Sequence, residues 1–240
     1  MSNDLVVVTP DFLNPPGPSD ILVESCRNQG IELRKFGTNK PWVSGSSAKF
    51  IDLPEFIKTL DAKYVMMLDS NDTFISPFTS EGDIINTYCN RLHDPDILLS
   101  VEKNCFPFKL VKRFFDDLAP KDRPWRYLNG GAWMGKKDKV LHMLEEARDK
   151  CFFSCDYPQM QWMCDQSMLT HWYLTYGVDN PNILLDYDCA IFQNMFLSND
   201  DISCTGYNSV TRTYPKVFHY NGDKRNYKFM YETFDALESR

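Results

Sequence analysis

The run Tyr64-Val65-Met66-Met67-Leu68 closes on Asp69-Ser70-Asn71-Asp72. This joining of an apolar run to two acids limits what the chain can become. Five consecutive apolar residues read as a buried strand. In an open α/β sheet, ligands bind at the carboxyl ends of the strands. Two carboxylates placed there are costly unless something cationic neutralises them. A hard divalent metal does so, and the usual reason to hold one is to grip a phosphate or diphosphate.

The neighbouring sequence supports such a sheet. Leu5 to Thr9 reads as a first strand, and Asn14-Pro15-Pro16-Gly17-Pro18 as a loop. Ser19 caps a helix that runs to about Gln29 and stops at Gly30. Ile31 to Phe36 is a second strand. A loop from Gly37 to Ser47 carries Trp42, and a helix then runs to about Leu60, ahead of the strand Tyr64 to Leu68. This alternation argues for an α/β fold with a parallel sheet covered by helices on both faces. Further helices are expected at Ser80 to Arg91, Lys136 to Lys150, Gln161 to Tyr176 and from about Asn226. Of these, Lys136 to Lys150 is the clearest, with Val140, Met143, Leu144 and Ala147 on one side. Short strands are expected at Asp96 to Val101, Asn182 to Leu185 and Val217 to His219. With no repeat, low-complexity tract or linker, residues 1–240 read as one domain.

Charge and cysteine content exclude several classes. The net charge of -7 disfavours a generic nucleic-acid binder. The segments Lys109 to Arg113, Lys121 to Arg126 and Lys136-Lys137 can still be imagined tracking phosphates; a solvated face of balanced charge is the simpler reading of each. No window of eighteen apolar residues exists, so no membrane span is expected. The start Met1-Ser2-Asn3-Asp4 is acidic, unlike a secretory signal, which points to the cytoplasm. The eight cysteines have no CxxC spacing. Cys151, Cys155 and Cys164 lack a histidine at zinc spacing, and thiols in a reducing compartment are expected.

Three more segments carry candidate chemistry. In Asn129-Gly130-Gly131 the glycines either make a tight turn into a strand or let the backbone approach a ligand, with Asn129 free to bond sugar hydroxyls. In Cys164-Asp165-Gln166 the acid either favours a helix dipole or points into the cleft as a base. In Val217 to Lys224, His219 is a competent Mn²⁺ ligand and Lys224 can neutralise a phosphate, the alternative being a structural histidine. His93, His142 and His171 read as structural.

Taken together, these segments resemble the glycosyltransferase domain of the procollagen lysyl hydroxylases and related collagen galactosyl- and glucosyltransferases. Asp69-Ser70-Asn71-Asp72 is similar to that family's DSxD metal motif. Leu98 to Glu102 with Cys105 and Pro107 resembles its S-A-E…C-x-P segment, and Leu128 to Gly135 its LN-S-G-G-F-I-G run. Asp165-Gln166, Leu185-Asp186 with Ile191 to Asn194, and His219 with Gly222 follow in the same order, so the likeness covers roughly residues 5 to 230. It departs at Asn71, where the family carries an aromatic that stacks on uracil, and at Cys164, where another acid would stand.

The resemblance implies a single GT-A domain with a Rossmann-like, mostly parallel sheet. It implies a nucleotide-sugar donor, UDP-sugar in the family, bound through Mn²⁺ or Mg²⁺. Asp69, Asp72 and His219 would be the metal ligands. Trp42, Lys49, Ser70, Asn71, Asn129, Gly130, Gly222 and Lys224 would contact the donor, and Asp165 would be the catalytic carboxylate. The acceptor would be a hydroxyl, either on hydroxylysine of a collagen-like chain or on a hydroxymethylated base in phage-type DNA. The rival readings are a non-catalytic lectin-like or sugar-nucleotide-binding module and a metal-dependent nucleotidyltransferase.

Overall fold

The computed structural model describes residues 4–13, 19–152, 164–222 and 226–239. Its centre is a six-stranded sheet built from β1 (Leu5–Pro10), β2 (Glu32–Phe36), β3 (Tyr64–Leu68), β5 (Ile97–Glu102), β6 (Tyr127–Lys136) and β7 (Ile183–Leu185), in the order β2-β1-β3-β6-β5-β7. β1 pairs parallel to β2 and β3, and β5 parallel to β7. β6 runs antiparallel to both its neighbours, so five strands share one direction and the longest opposes them. The sheet is therefore mostly parallel, as expected, but mixed.

A small second sheet holds β4 (Thr73–Ile75), β8 (Phe192–Asn194) and β9 (Val217–His219) in the order β4-β9-β8. The residues after Asp72, to which the sequence assigned no element, and the motif around Asn194 are thus paired strands.

Alternation along the central strands sorts side chains between two layers. Val6, Val8, Val65 and Met67 face a cluster completed by α3 (Leu53–Lys58), α6 (Lys137–Ala147) and α7 (Asp165–Trp172). Leu5, Val7, Met66 and Leu68 face the other, completed by α1 (Asp20–Asn28) and α4 (Glu81–Asn86). Val140, Met143, Leu144 and Ala147 of α6 are all buried, as their spacing requires. Each such Val, Leu or Met contributes roughly 1.5–3 kcal/mol by leaving water. A third cluster joins Phe74 and Phe218 of the second sheet to Met230, Phe234 and Leu237 of α8 (Asn226–Glu238). The remaining α-helices among the described residues are the single turn α2 (Gly45–Ser47) and α5 (Lys112–Leu118), which buries Phe115 in the first cluster.

Ser19 caps α1 by accepting from Leu22 N at 3.2 Å, and Gly30 follows with φ +65°. Ser80 and Asp83 form a reciprocal capping box on α4. The expected helix from Gln161 is described only from Asp165, and Cys155 and Lys224 lie outside the described residues. Asn129-Gly130-Gly131 do not form a turn; they lie inside β6. Among the described residues, no helix is long and apolar enough to cross a membrane.

Candidate active site

β3 ends at Leu68, and Asp69 N donates to Gly131 O at 2.8 Å, which fixes Asp69 against β6. The chain then crosses to the second sheet. There β4 and β9 pair antiparallel with Thr73 opposite His219, and Tyr220 N donates to Asp72 O at 2.7 Å. This pairing brings His219 to acids about 150 positions earlier in the chain. His219 Nε2 lies 3.5 Å from Asp72 Oδ2 and 3.8 Å from Asp69 Oδ2. One ligand atom from each of Asp69, Asp72 and His219 falls within 4.8 Å of the other two.

The imidazole is oriented by Asn194, which stands beside His219 in the β8–β9 register. Asn194 Nδ2 donates to Val101 O at 2.8 Å, so its Oδ1 is the atom that meets His219 Nδ1 at 2.6 Å. Nδ1 therefore carries a proton, and Nε2 is left to face the acids. Partners of this kind typically tune metal affinity 10–100-fold. Asn194→Ala should accordingly weaken Mn²⁺ binding by about 10- to 100-fold in calorimetry. Unchanged affinity would show that the bond does not orient the ligand.

Lys49 completes the charge pattern. It is 4% exposed, and its Nζ lies 2.8 Å from Asp69 Oδ1, donates to Gly130 O at 2.9 Å and pairs with Asp165. Two carboxylates, Asp69 and Asp165, thus meet one ammonium, and a third, Asp72, stands beside His219. With His219 neutral, two negative charges remain, which suits a divalent cation. The carboxylate oxygens fit Mn²⁺ or Mg²⁺, and the imidazole nitrogen favours Mn²⁺ of the two.

The titration behaviour agrees. Burial works to raise Asp69, with Asp165 and Asp72 adding and Lys49 opposing, and its carboxyl lies above the usual range. Burial also works to raise Asp72, but the charge and hydrogen bond of His219 outweigh it and hold the group low. Burial opposes charge on His219, yet Asp72 and then Asp69 lift it above 6.5. A group raised in this way stabilises the metal-free fold below its unfolded value and loses that contribution as pH rises through the folded one. Metal binding needs the neutral ring and has the opposite slope. The metal-free melting temperature should fall as pH rises through the His219 titration, while Mn²⁺ affinity rises. Affinity flat across that interval would exclude His219 as a ligand.

Behind the triangle sits Glu102, a residue to which sequence reasoning assigned no role. Its Oε1 accepts from Asn129 Nδ2 at 3.0 Å and Gln166 Nε2 at 2.9 Å, and its Oε2 from Asn221 Nδ2 at 3.0 Å. Burial raises its pKa, opposed by those amides and by His219. One buried carboxylate thereby ties β6, α7 and the loop after β9 together. Asn129 Oδ1 accepts from Gly131 N at 2.8 Å, and Gln166 Oε1 from Gly130 N at 3.0 Å. The Asn129 amide read as a sugar contact is thus engaged on both its atoms by the protein, although the residue still lines a cavity. Asp186 accepts backbone N–H groups from Ala190, Ile191 and Phe192, which fixes the approach to β8 and Asn194.

Two cavities meet at the acids. The first, about 380 Å³, is lined by Trp42, Lys49, Ser70 and Asn71 with Phe12 and Tyr227. The second, about 410 Å³, is lined by Glu102, Phe106, Asn129, His219 and Gly222. Asp69, Asp72 and Asp165 line both. Gly222 has φ +95°, and a Cβ there would stand 2.8 Å from Phe196. Phe12, Gln166, Asn194 and Tyr227 were not singled out as site residues by the sequence; only the order of motifs hinted at Gln166 and Asn194.

A profile of the PLOD GT domain family matches residues 19–232. An uncharacterized protein of Acanthamoeba polyphaga mimivirus is 26% identical over 215 residues, covering 82% of this chain and 41% of that protein. The chain thus spans about two fifths of the length of that relative. A crystal structure of a glycosyltransferase involved in the glycosylation of the major capsid of PBCV-1 superposes with a TM-score of 0.55. It covers 98% of this chain and 99% of its own at 12% identity, a likeness of fold.

Proposed function

We propose, on the premise that the chain belongs to the PLOD GT domain family, that it is a metal-dependent glycosyltransferase using a nucleotide-sugar donor. The observation that carries this reading is the position of Asp69, Asp72 and Asp165 at the junction of two cavities. One cavity would take the donor and the other the acceptor.

The chemistry suits that layout. Cleaving the sugar–diphosphate bond puts negative charge on the leaving group and makes the anomeric carbon oxocarbenium-like. A divalent ion, Mn²⁺ or Mg²⁺, would supply Lewis-acid stabilisation of that charge when bound. Asp69, Asp72 and His219 would hold it, with Lys224 a further cation for the diphosphate on sequence grounds. Asp165 would stabilise the anomeric carbon or take the proton of the acceptor hydroxyl. Lys49, paired with Asp165, would keep that carboxylate oriented.

For the acceptor we favour a hydroxyl on a polypeptide, hydroxylysine in a collagen-like chain being the family's. The basic segments that would have to follow a DNA backbone are largely paired with acids. Lys112 and Arg126 meet Asp116, Arg123 meets Asp122 and Asp188, and Lys136 meets Asp94 and Asp96. Retention on duplex DNA at low salt, lost as salt rises, would reverse this preference.

The test is donor hydrolysis across UDP-, GDP- and other nucleotide-sugars, with and without Mn²⁺. Turnover of at least one donor, abolished by EDTA, is expected. No turnover of any donor, or turnover indifferent to EDTA, would contradict the reading.

A further inference from the structure

Asn71 stands between Asp69 and Asp72 and lines the first cavity. An amide side chain offers no aromatic face, yet stacking on such faces is a principal way proteins hold bases without reading their edges. Among the described residues, three rings line the same cavity: Phe12, Trp42 and Tyr227.

Two of them are committed to the fold. Phe12 is 6% exposed and packs edge-on against Phe36 at 6.0 Å and Trp42 at 5.3 Å. Its ring lies so close over Gly37 that a Cβ there would stand 2.3 Å from Phe12 Cζ. Trp42 is held by that contact at the margin of the main core.

Trp42 and Tyr227 are both half-buried, but among the described residues Tyr227 has no such ring contact to the core. It stands in the first turn of α8, half-buried, and reaches the cavity from the opposite end of the chain to Phe12. α8 is anchored without it, through Met230, Phe234 and Leu237. The ring lines the same cavity as Asp69 and Asp72, the acids that would hold a diphosphate. A base and a diphosphate of one nucleotide would then meet adjacent groups.

We infer that Tyr227 is the base platform of the donor site, supplying from α8 the aromatic face that Asn71 lacks. This rests on the nucleotide-sugar reading above. The residue is a specificity determinant of donor binding and takes no part in bond cleavage.

The experiment is calorimetric titration, in Mn²⁺, of the wild type, Tyr227→Phe, Tyr227→Leu and Tyr227→Ala. The probes are UDP, GDP, CDP and ADP, with inorganic pyrophosphate as the ligand that has no base. Melting curves check that each variant folds, and Leu keeps bulk without a ring. For the nucleotide the wild type binds best, the Leu and Ala variants should lose roughly 5- to 150-fold in affinity. Phe should stay near wild type, and pyrophosphate should bind all four proteins alike. Nucleotide affinity unchanged in the Leu variant would overturn the role of Tyr227 and leave the nucleotide-sugar reading standing. Equal losses for nucleotide and pyrophosphate would also overturn it, in favour of a structural role. A wild type that binds pyrophosphate but gains nothing from any base would do the same. A wild type that binds none of the probes would overturn both the inference and the reading beneath it.

Discussion

Asp72→Ala is expected to abolish sugar transfer while leaving the metal-free protein folded. The residue supplies one of three ligand atoms lying within 4.8 Å of one another, and its partner is the 2% exposed His219. Losing it should remove the Lewis-acid contribution to the leaving diphosphate. That contribution is several kcal/mol, on the order of 1,000-fold or more in kcat. The fold should tolerate the change, because the site is overloaded with carboxylates when no cation is bound. Removing one relieves repulsion on Asp69, whose pKa is raised in part by Asp72, and this offsets the lost pairing of Asp72 with His219. The metal-free melting temperature should stay near wild type, and the rise that Mn²⁺ gives the wild type should vanish. A large loss of stability, with activity per folded molecule intact, would mean that Asp72 is a structural turn residue instead.

Gly131→Ala should be nearly as damaging, by a different route. A Cβ at this position would stand 2.2 Å from His219 Cε1 and 2.5 Å from Asp69 Oδ2. Neither neighbour has room to retreat. His219 is held by Asn194, and Asp69 by its backbone bond to Gly131 and by Lys49. Overpacking of this kind costs about 1–3 kcal/mol of stability. Displacing two of the three ligands by about 1 Å should cost about 100-fold or more in activity. Gly82→Ala is the control: its Cβ would meet only Ser80 Oγ at 3.7 Å, in a helix that alanine favours. Both effects are read from melting curves and Mn²⁺-dependent turnover. A Gly131→Ala protein with wild-type turnover would contradict the ligand geometry.

The glycine also explains what sequence could and could not convey. Tyr64 to Asp69 was legible because a continuous apolar run that stops at an acid has few other readings. Asn129-Gly130-Gly131 was ambiguous because glycine is depleted in strands. Here the pair stands inside β6 because Gly131 faces Asp69 and His219 and a Cβ at Gly130 would lie 2.9 Å from Gln166 Cα. That requirement is tertiary, so no local pattern carries it. The antiparallel course of β6 was hidden for the same reason.

His219 posed the opposite difficulty. Its strand has three residues, as does its partner β4, and neither is long enough to show a period. Only its place in an ordered set of motifs singled it out. Glu102 was quoted within such a motif but gained no role, because a carboxylate at the end of an apolar strand looks alike whether it meets solvent or three amides. The basic segments were visible as composition, whereas their pairing with Asp94, Asp96, Asp116 and Asp188 belongs to the fold alone.

On the proposed function, Asp69, Asp72 and His219 hold the metal that grips the donor's diphosphate. Diffraction near the manganese edge, from crystals of the wild-type protein grown with Mn²⁺ and a bound nucleoside diphosphate, tests it most directly. An anomalous peak is expected within coordination distance of all three side chains and of the diphosphate oxygens. A peak elsewhere, or a diphosphate bound away from these residues in a protein that still turns over donor, would contradict it.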